Sequence, residues 1–136
     1  MASAEKADSA KPMNIEADAL RHDDLKQISV FTGNVVVTKG SILIRGQQIE
    51  VRQGAQGQQF GIVLGNAQQQ AFFRQKRDGV DEFIEGEAER LEYDGPTDTV
   101  RMLRKAEIRR LTGQTVNDEV MGNLIVYNSS TEVFTV

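Results

Sequence analysis

From residue 31 to residue 51 the chain reads FTGNVVVTKGSILIRGQQIEV, short runs with Val, Ile or Leu recurring at every second position, each run closed by a glycine. That period constrains the fold more than any other feature of the chain. In an extended strand successive side chains point to opposite faces, so a period of two lets one face be buried while the other stays wet. The same pattern recurs along the sequence and predicts strands at 14–21, 27–32, 35–39, 41–45, 48–53, 61–64, 69–74, 82–87, 90–93, 99–104, 106–110, 115–121, 124–128 and 132–136. Between them stand residues that tight turns need: Gly33-Asn34, Lys39-Gly40, Arg45-Gly46, Gly65-Asn66, Asp78-Gly79, Asp94-Gly95-Pro96, Gly122-Asn123 and Asn128-Ser129-Ser130. The composition of 101–110 suits a helix as well, but Val100, Met102 and Ile108 alternate as strands around a corner do.

Four segments align with one another: Ile15 to His22, Gly46 to Val51, Gly86 to Tyr93 and Gly122 to Tyr127. The first and third share a Glu-Ala-acid step, then Leu, then an aromatic ring. Their unequal spacing argues for a stack of β units with irregular loops rather than a strict solenoid. The expected fold is all-β, a stack of short antiparallel strands forming an elongated jelly roll or a two-sheet sandwich. Its inner face is expected to carry Ile15, Ala17, Val30, Val35, Val37, Ile42, Ile44, Ile49, Val51, Ile62, Leu64, Phe72, Leu91, Tyr93, Val100, Met102, Ile108, Leu124 and Val126. The stretch Val133-Phe134-Thr135-Val136 carries no charge or proline to block pairing with another strand, which makes it a liability or a joint.

At 136 residues the chain suits one domain. The polar segment 1–11 shows no leader pattern and reads as a flexible arm, leaving 12–136 as the domain. A net charge of −4 and basic clusters diluted by acids argue against nucleic acid as a partner. The absence of cysteine excludes thiol catalysis, disulfides and thiolate metal sites, and no apolar run is long enough for a membrane-spanning helix.

Catalytic chemistry is sparse. The sole histidine, His22, stands beside Asp23 and Asp24 with no activated serine motif and no zinc-type companions, so it reads as a solvated turn residue. Asp78, Asp81, Glu82, Glu85, Glu87 and Glu89 include pairs of the kind a glycosidase uses, yet they alternate with apolar residues as an outward strand face does. Gly54, Gly57, Gly61 and Gly65 lack the Lys-Ser/Thr that a phosphate-binding loop requires. No catalytic set, metal site or cofactor is expected. Binding, scaffolding or conduction follows.

Pro12 to Asp18 (PMNIEAD), Phe31 to Gly40 (FTGNVVVTKG), Ile42 to Val51 (ILIRGQQIEV) and Gly86 to Tyr93 (GEAERLEY) closely resemble the OstA-like family, in particular its periplasmic lipopolysaccharide-transport bridge. The likeness covers essentially 12–136, and FTGNVVVTKG is its most specific part. The resemblance implies a twisted, slightly open β-jelly roll in the periplasm whose apolar groove holds lipopolysaccharide acyl chains, with no enzymatic activity. By position, the family's lipid contacts fall on Met13, Ile15, Phe72 and Tyr93; the inward set adds Val30, Val37, Ile44, Ile49, Leu91, Met102, Leu124 and Val126. The resemblance also implies stacking end to end with other copies, through edges at Ile15 and Ala17 and at Val133, Phe134, Thr135 and Val136. It further implies joining to an inner-membrane-anchored OstA-like relative and to the amino-terminal domain of the outer-membrane translocon. Three other readings stand beside it: an OstA-like domain of one of those membrane partners, a β-stack enzyme acting on polysaccharide, and a structural filament protein that uses its edges but binds no lipid.

Overall fold

The computed structural model describes residues 13–77, 81–131 and 133–136, with the side chain of Met13 outside that description. The arm at 1–11, the Asp78-Gly79 turn and Glu132 also lie outside the described residues. Eleven strands form one antiparallel sheet: β1 (Met13–Glu16), β2 (Ala19–Asp23), β3 (Ile28–Lys39), β4 (Ile42–Gln53), β5 (Gln59–Leu64), β6 (Ala71–Lys76), β7 (Glu82–Ala88), β8 (Arg90–Asp94), β9 (Thr99–Thr112), β10 (Thr115–Asn128) and β11 (Val133–Thr135). No helix occurs among the described residues, so 101–110 is strand.

Two long hairpins, β3–β4 and β9–β10, form opposite walls. Short strands bridge them at two levels. In one half β4 pairs with β5, β5 with β8 and β8 with β9; in the other β4 pairs with β6, β6 with β7 and β7 with β9. The first level is called the upper half below and the second the lower. On the outer flank of β3, β2 covers the upper half and β1 the lower, while β11 flanks upper β10. Among the described residues the sheet begins at β1 and ends at β11 without closing. It rolls up nonetheless, because Phe73 on β6 and Tyr127 on β10, which are not paired strands, bring their rings to 6.0 Å. One apolar cluster fills the interior, drawn from β3 through β10. Matching the sequence expectation, the fold is an antiparallel, open β-jelly roll.

The strand boundaries differ from that expectation in one systematic way. Each of the four long strands reads in the sequence as two. Gly33-Asn34, Arg45-Gly46 and Gly122-Asn123 are not turns; the chain bends there and continues, with register shifts between Thr32 and Val35 and between Gly122 and Leu124. A bulge and a turn both call for a residue that tolerates positive φ or lacks a side chain, so the composition is the same. Conversely, the expected strand at 14–21 divides into β1 and β2, with Ala17 and Asp18 between them. The bends sit where one short neighbour gives way to the next, so the roll has a waist.

Candidate functional site: the inner face and its seam

Paired residues in a sheet share a face, so the register reads out the lining directly. In the lower half one row runs Ile15, Val37, Ile44, Phe73, Gly86, Ile108, Val120. In the upper half a second runs Leu20, Phe31, Ile49, Val63, Leu91, Met102, Ile125. A third row, at the upper mouth, runs His22, Ser29, Val51, Gly61, Tyr93, Val100, Tyr127, Phe134. Glycine stands at 86 because a Cβ there would lie 2.5 Å from Phe73 Cε1 and 2.8 Å from Met102 Sδ. Two fully apolar rows and a largely apolar third make a dry lining.

Much of this face is a packed core in which Met102, Ile125, Tyr127 and Val35 are almost wholly shielded. Several row ends are not. The rows terminate at the unclosed seam, with Leu20 59% exposed on β2 and Phe134 40% exposed on β11. Ile15 on β1 and Val120 on β10 are half-buried. Apolar side chains that face inward yet remain open to solvent at two unpaired edges are the accessible part of the site.

Of the residues expected to contact acyl chains, Ile15, Val37, Ile44, Ile49, Leu91, Tyr93 and Met102 stand on the inner face. Met13 is described only by its backbone, opposite Lys39. Val30, Phe72, Leu124 and Val126 face outward, as do Ile62 and Leu64; the inward neighbours are Phe31, Phe73, Ile125, Tyr127 and Val63. The reasons are local. Because β3 runs unbroken through Gly33-Asn34, Phe31 keeps step with Val35. In β10 the shift at Gly122 flips the alternation, so that Leu124 pairs with outward Leu103. In β4 both Ile44 and Ile49, five residues apart, face inward, so the upper half of that strand is offset by one. Among the expected edge residues, Ala17 is exposed in the gap between β1 and β2, while Val133, Phe134 and Thr135 form β11.

The outer face is polar and mutually compensated. Arg45 lies 4.4 Å from the centre of the Phe72 ring and Arg74 4.2 Å from that of Phe83. Arg109 stands 3.1 Å from Glu107, 3.4 Å from Glu85 and 3.7 Å from Glu87. Burial pulls the Arg109 guanidinium down, but Glu87, Glu107 and Glu85 outweigh it and hold its pKa above the usual value. A hydrogen bond and like charge from Glu107 push the Glu119 carboxyl up. At the upper mouth, burial and then Asp98 and Asp94 raise the Tyr93 phenol.

Of the acids considered as glycosidase candidates, Glu85 and Glu87 are ion-paired with Arg109 outside the roll, Glu82 pairs with Arg77 and Glu89 with Arg104, while Asp81 is exposed before β7 and Asp78 lies outside the described residues. His22 Nδ1 is 2.8 Å from Ser29 Oγ and its Nε2 3.5 Å from Asp24 Oδ1. Both His22 and Asp24 are exposed, so this trio lacks the water-excluded setting in which such a constellation stabilises developing charge. No metal-binding group of three or more His, Asp and Glu residues occurs among the described residues.

The family described as "LptA/(LptD N-terminal domain) LPS transport protein" matches residues 14–133. The lipopolysaccharide export system protein LptA of Escherichia coli K12 is 29% identical over 122 residues, covering 88% of this chain and 61% of that protein. LptA of Haemophilus influenzae is 27% identical over 123 residues, covering 90% and 68%. LptH of Pseudomonas aeruginosa is 35% identical over a shorter stretch of 57 residues, covering 42% and 33%. The chain therefore spans about three fifths of the length of the E. coli relative, given its 61% coverage. The crystal structure of P. aeruginosa LptH, "the LptA homologous periplasmic component of the conserved lipopolysaccharide transport device", superposes with a TM-score of 0.83 at 22% identity, covering 95% of this chain and 84% of that one. That likeness establishes the fold.

Proposed function

The chain belongs to the family described as LptA/(LptD N-terminal domain) LPS transport proteins, and from that premise we propose that it is a periplasmic lipopolysaccharide carrier that holds acyl chains against its inner face. The observation that carries this reading is the seam, where inward apolar rows end in exposed side chains at Leu20 and Phe134. Covering such surface with acyl chain removes both from water, at roughly 25 cal/mol per Å² of apolar surface. Sugars and phosphates stay outside the slot, in water.

The strands that border the seam are also the joints. Among the described residues β1, β2 and β11 each have one flank without a partner strand. A strand from another molecule can add there, with main-chain hydrogen bonds supplying affinity and alternating side chains the register. The proposed partners are further copies stacked end to end, the membrane-anchored relative LptC and the amino-terminal domain of the translocon LptD.

A photoreactive residue placed at Leu20 or Phe134 is expected to capture lipopolysaccharide saturably, whereas one at outward Phe72 captures none. Equal capture at Phe72, or capture only there, overturns the inner-face assignment.

A further inference from the structure

Tyr93 and Tyr127 stand in one row at the upper mouth with Val100 between them, yet Tyr127 is 2% exposed and Tyr93 40%. The difference lies in their neighbours. Tyr127 packs against Phe73, whereas β5 sets Gly61 opposite Tyr93, so no side chain covers the ring on that flank. The uncovered ring borders a hollow of about 390 Å³ between the loop that joins β4 to β5 and the loop that joins β8 to β9. Gln56, Gly57, Gln58, Gln59, Gly95 and Pro96 complete its wall. Its size suits one small ligand, since small-molecule sites run upward from roughly 300 Å³.

Two close approaches hold the loops in place. Gly95 N–H donates to the Gln59 carbonyl at 2.9 Å, and a Cβ on Gly95 would lie 2.5 Å from that oxygen. A Cβ on Gly54 would lie 2.6 Å from Gln58 Oε1, which accepts the Gln56 backbone N–H at 2.9 Å. The Gln58 side chain also donates to Gln56 Oε1 at 3.4 Å. The Gln56 NH₂ and the Gln59 amide remain without a protein partner among the described residues. No charged side chain among those residues lines the hollow, while Asp94 and Asp98 stand near enough to raise the Tyr93 phenol and so repel an anion. The neighbouring hollow of about 270 Å³ on the outer face is the opposite in character, walled by Glu50, Arg52, Glu92, Asp94 and Arg101.

We infer that the mouth hollow is a saccharide site, in which the Tyr93 ring stacks on the C–H face of a neutral pyranose and the amides of Gln56 and Gln59 bind its hydroxyls. The C–H bonds of a pyranose face suit the negative face of an aromatic ring, and each hydroxyl is donor and acceptor at once, as a carboxamide is. The sugar rests on the rim, outside the slot, where the acyl-chain reading leaves it. The inference does not depend on that reading.

The experiment titrates isotope-labelled protein with methyl β-glucoside and follows the side-chain amides of Gln56 and Gln59 and the backbone amides of Gly57 and Gly95 by NMR. These four are expected to shift together, saturably, with a dissociation constant on the order of 1 mM, as befits so small a ligand. Tyr93→Ala should weaken binding about tenfold and Gln59→Leu about threefold, whereas Tyr93→Phe, which keeps the ring, should stay near the wild type. Octyl β-glucoside separates the sources of such a ring: binding tighter than that of the methyl glucoside, and weakened by Tyr93→Ala, identifies a sugar carried on lipid, and equal binding a free saccharide, either of which supports the site. Glucuronate or tetramethylammonium binding as tightly as the glucoside overturns it, as does an affinity unchanged in both Tyr93→Ala and Gln59→Leu. Absence of any shift up to about 0.1 M glucoside, a hundredfold above the expected constant, also overturns it and leaves lipopolysaccharide capture at Leu20 and Phe134 unaffected.

Discussion

β3 and β9 are bent at the waist by one backbone device built from two sets of residues. In β3 the left-handed pair is Gly33-Asn34, with φ of 84° and 47°; in β9 it is Arg104-Lys105, with φ of 67° and 50°. Beside each, a Glu-Ala-acid step interrupts the neighbouring strands. Asp18 N–H donates to the carbonyls of Gly33 and Thr32 at 3.0 and 3.1 Å, and Glu89 N–H donates to that of Arg104 at 3.1 Å. Each acid side chain then meets the left-handed pair. Asn34 Nδ2 donates to Asp18 Oδ2 at 3.2 Å, and Arg104 Nε to Glu89 Oε1 at 2.9 Å. The bend thus follows from the backbone pairing that the Glu-Ala-acid step permits. Glycine and asparagine make it at little conformational cost, whereas arginine and lysine occupy a region that side chains with a Cβ disfavour by about 1–2 kcal/mol each.

The sharpest way to break the equivalence is Gly33→Val. A Cβ at that position would lie 2.5 Å from Asp18 Oδ2 and 2.9 Å from Asp18 Cβ, and a β-branched residue at φ 84° is strained whatever the space. A loss of about 3 kcal/mol is expected in urea unfolding, with an unchanged m-value. A loss below about 1 kcal/mol would mean that β3 straightens without penalty and that the bend is not required.

Exchanging the second residues of the two pairs gives a smaller effect of opposite sign at each site. Asn34→Lys should destabilise by about 1 kcal/mol, since it loses the Asp18 hydrogen bond and adds left-handed strain. Lys105→Asn should stabilise by about 0.5 kcal/mol, because asparagine tolerates this conformation and little is lost. The Lys105 side chain is 81% exposed and its Nζ is 4.0 Å from Glu89. If both changes shift stability in the same direction, side-chain contacts rather than backbone conformation govern the waist.

This pair of bends also shows what the sequence could and could not disclose. The all-β class, the true turns at Lys39-Gly40 and Asp94-Gly95-Pro96, and the inward Val37, Ile44, Ile49, Leu91 and Met102 all follow from local alternation. Gly33-Asn34 and Gly122-Asn123 mark real irregularities, but composition does not say whether a chain reverses or only bends, because that depends on which strands lie alongside. Arg104-Lys105 carries no turn signal at all; its bend is imposed by Glu89 across the sheet. Adjacent Phe72 and Phe73 could not be told apart, since either could occupy the apolar phase. The pairing of Ile44 with Phe73 decides, and it is a long-range fact. The same limit applies to the seam residues: Leu20 is out of phase with Ile15 and Ala17 in the expected strand 14–21, and it turns inward because that strand divides at Ala17-Asp18 and β2 pairs with Phe31 in its own register.

The last difference between the two bends is electrostatic, and salt separates it from conformation. Glu89 faces two cations, whereas Asp18 faces a neutral amide. Glu89→Gln should lose about 0.5 kcal/mol at low ionic strength, an amount usual for partly exposed pairs, and that loss should vanish near 1 M salt as screening shortens the Debye length to about 3 Å. Asp18→Asn should change stability by no more than about 0.5 kcal/mol at either ionic strength, because its hydrogen bond to Asn34 has no charged partner to screen. Urea unfolding of the two variants at both salt concentrations tests this. A salt-independent loss for Glu89→Gln would show that its main-chain bond to Arg104 holds the bend by itself, making the two waists alike in mechanism as well as in shape.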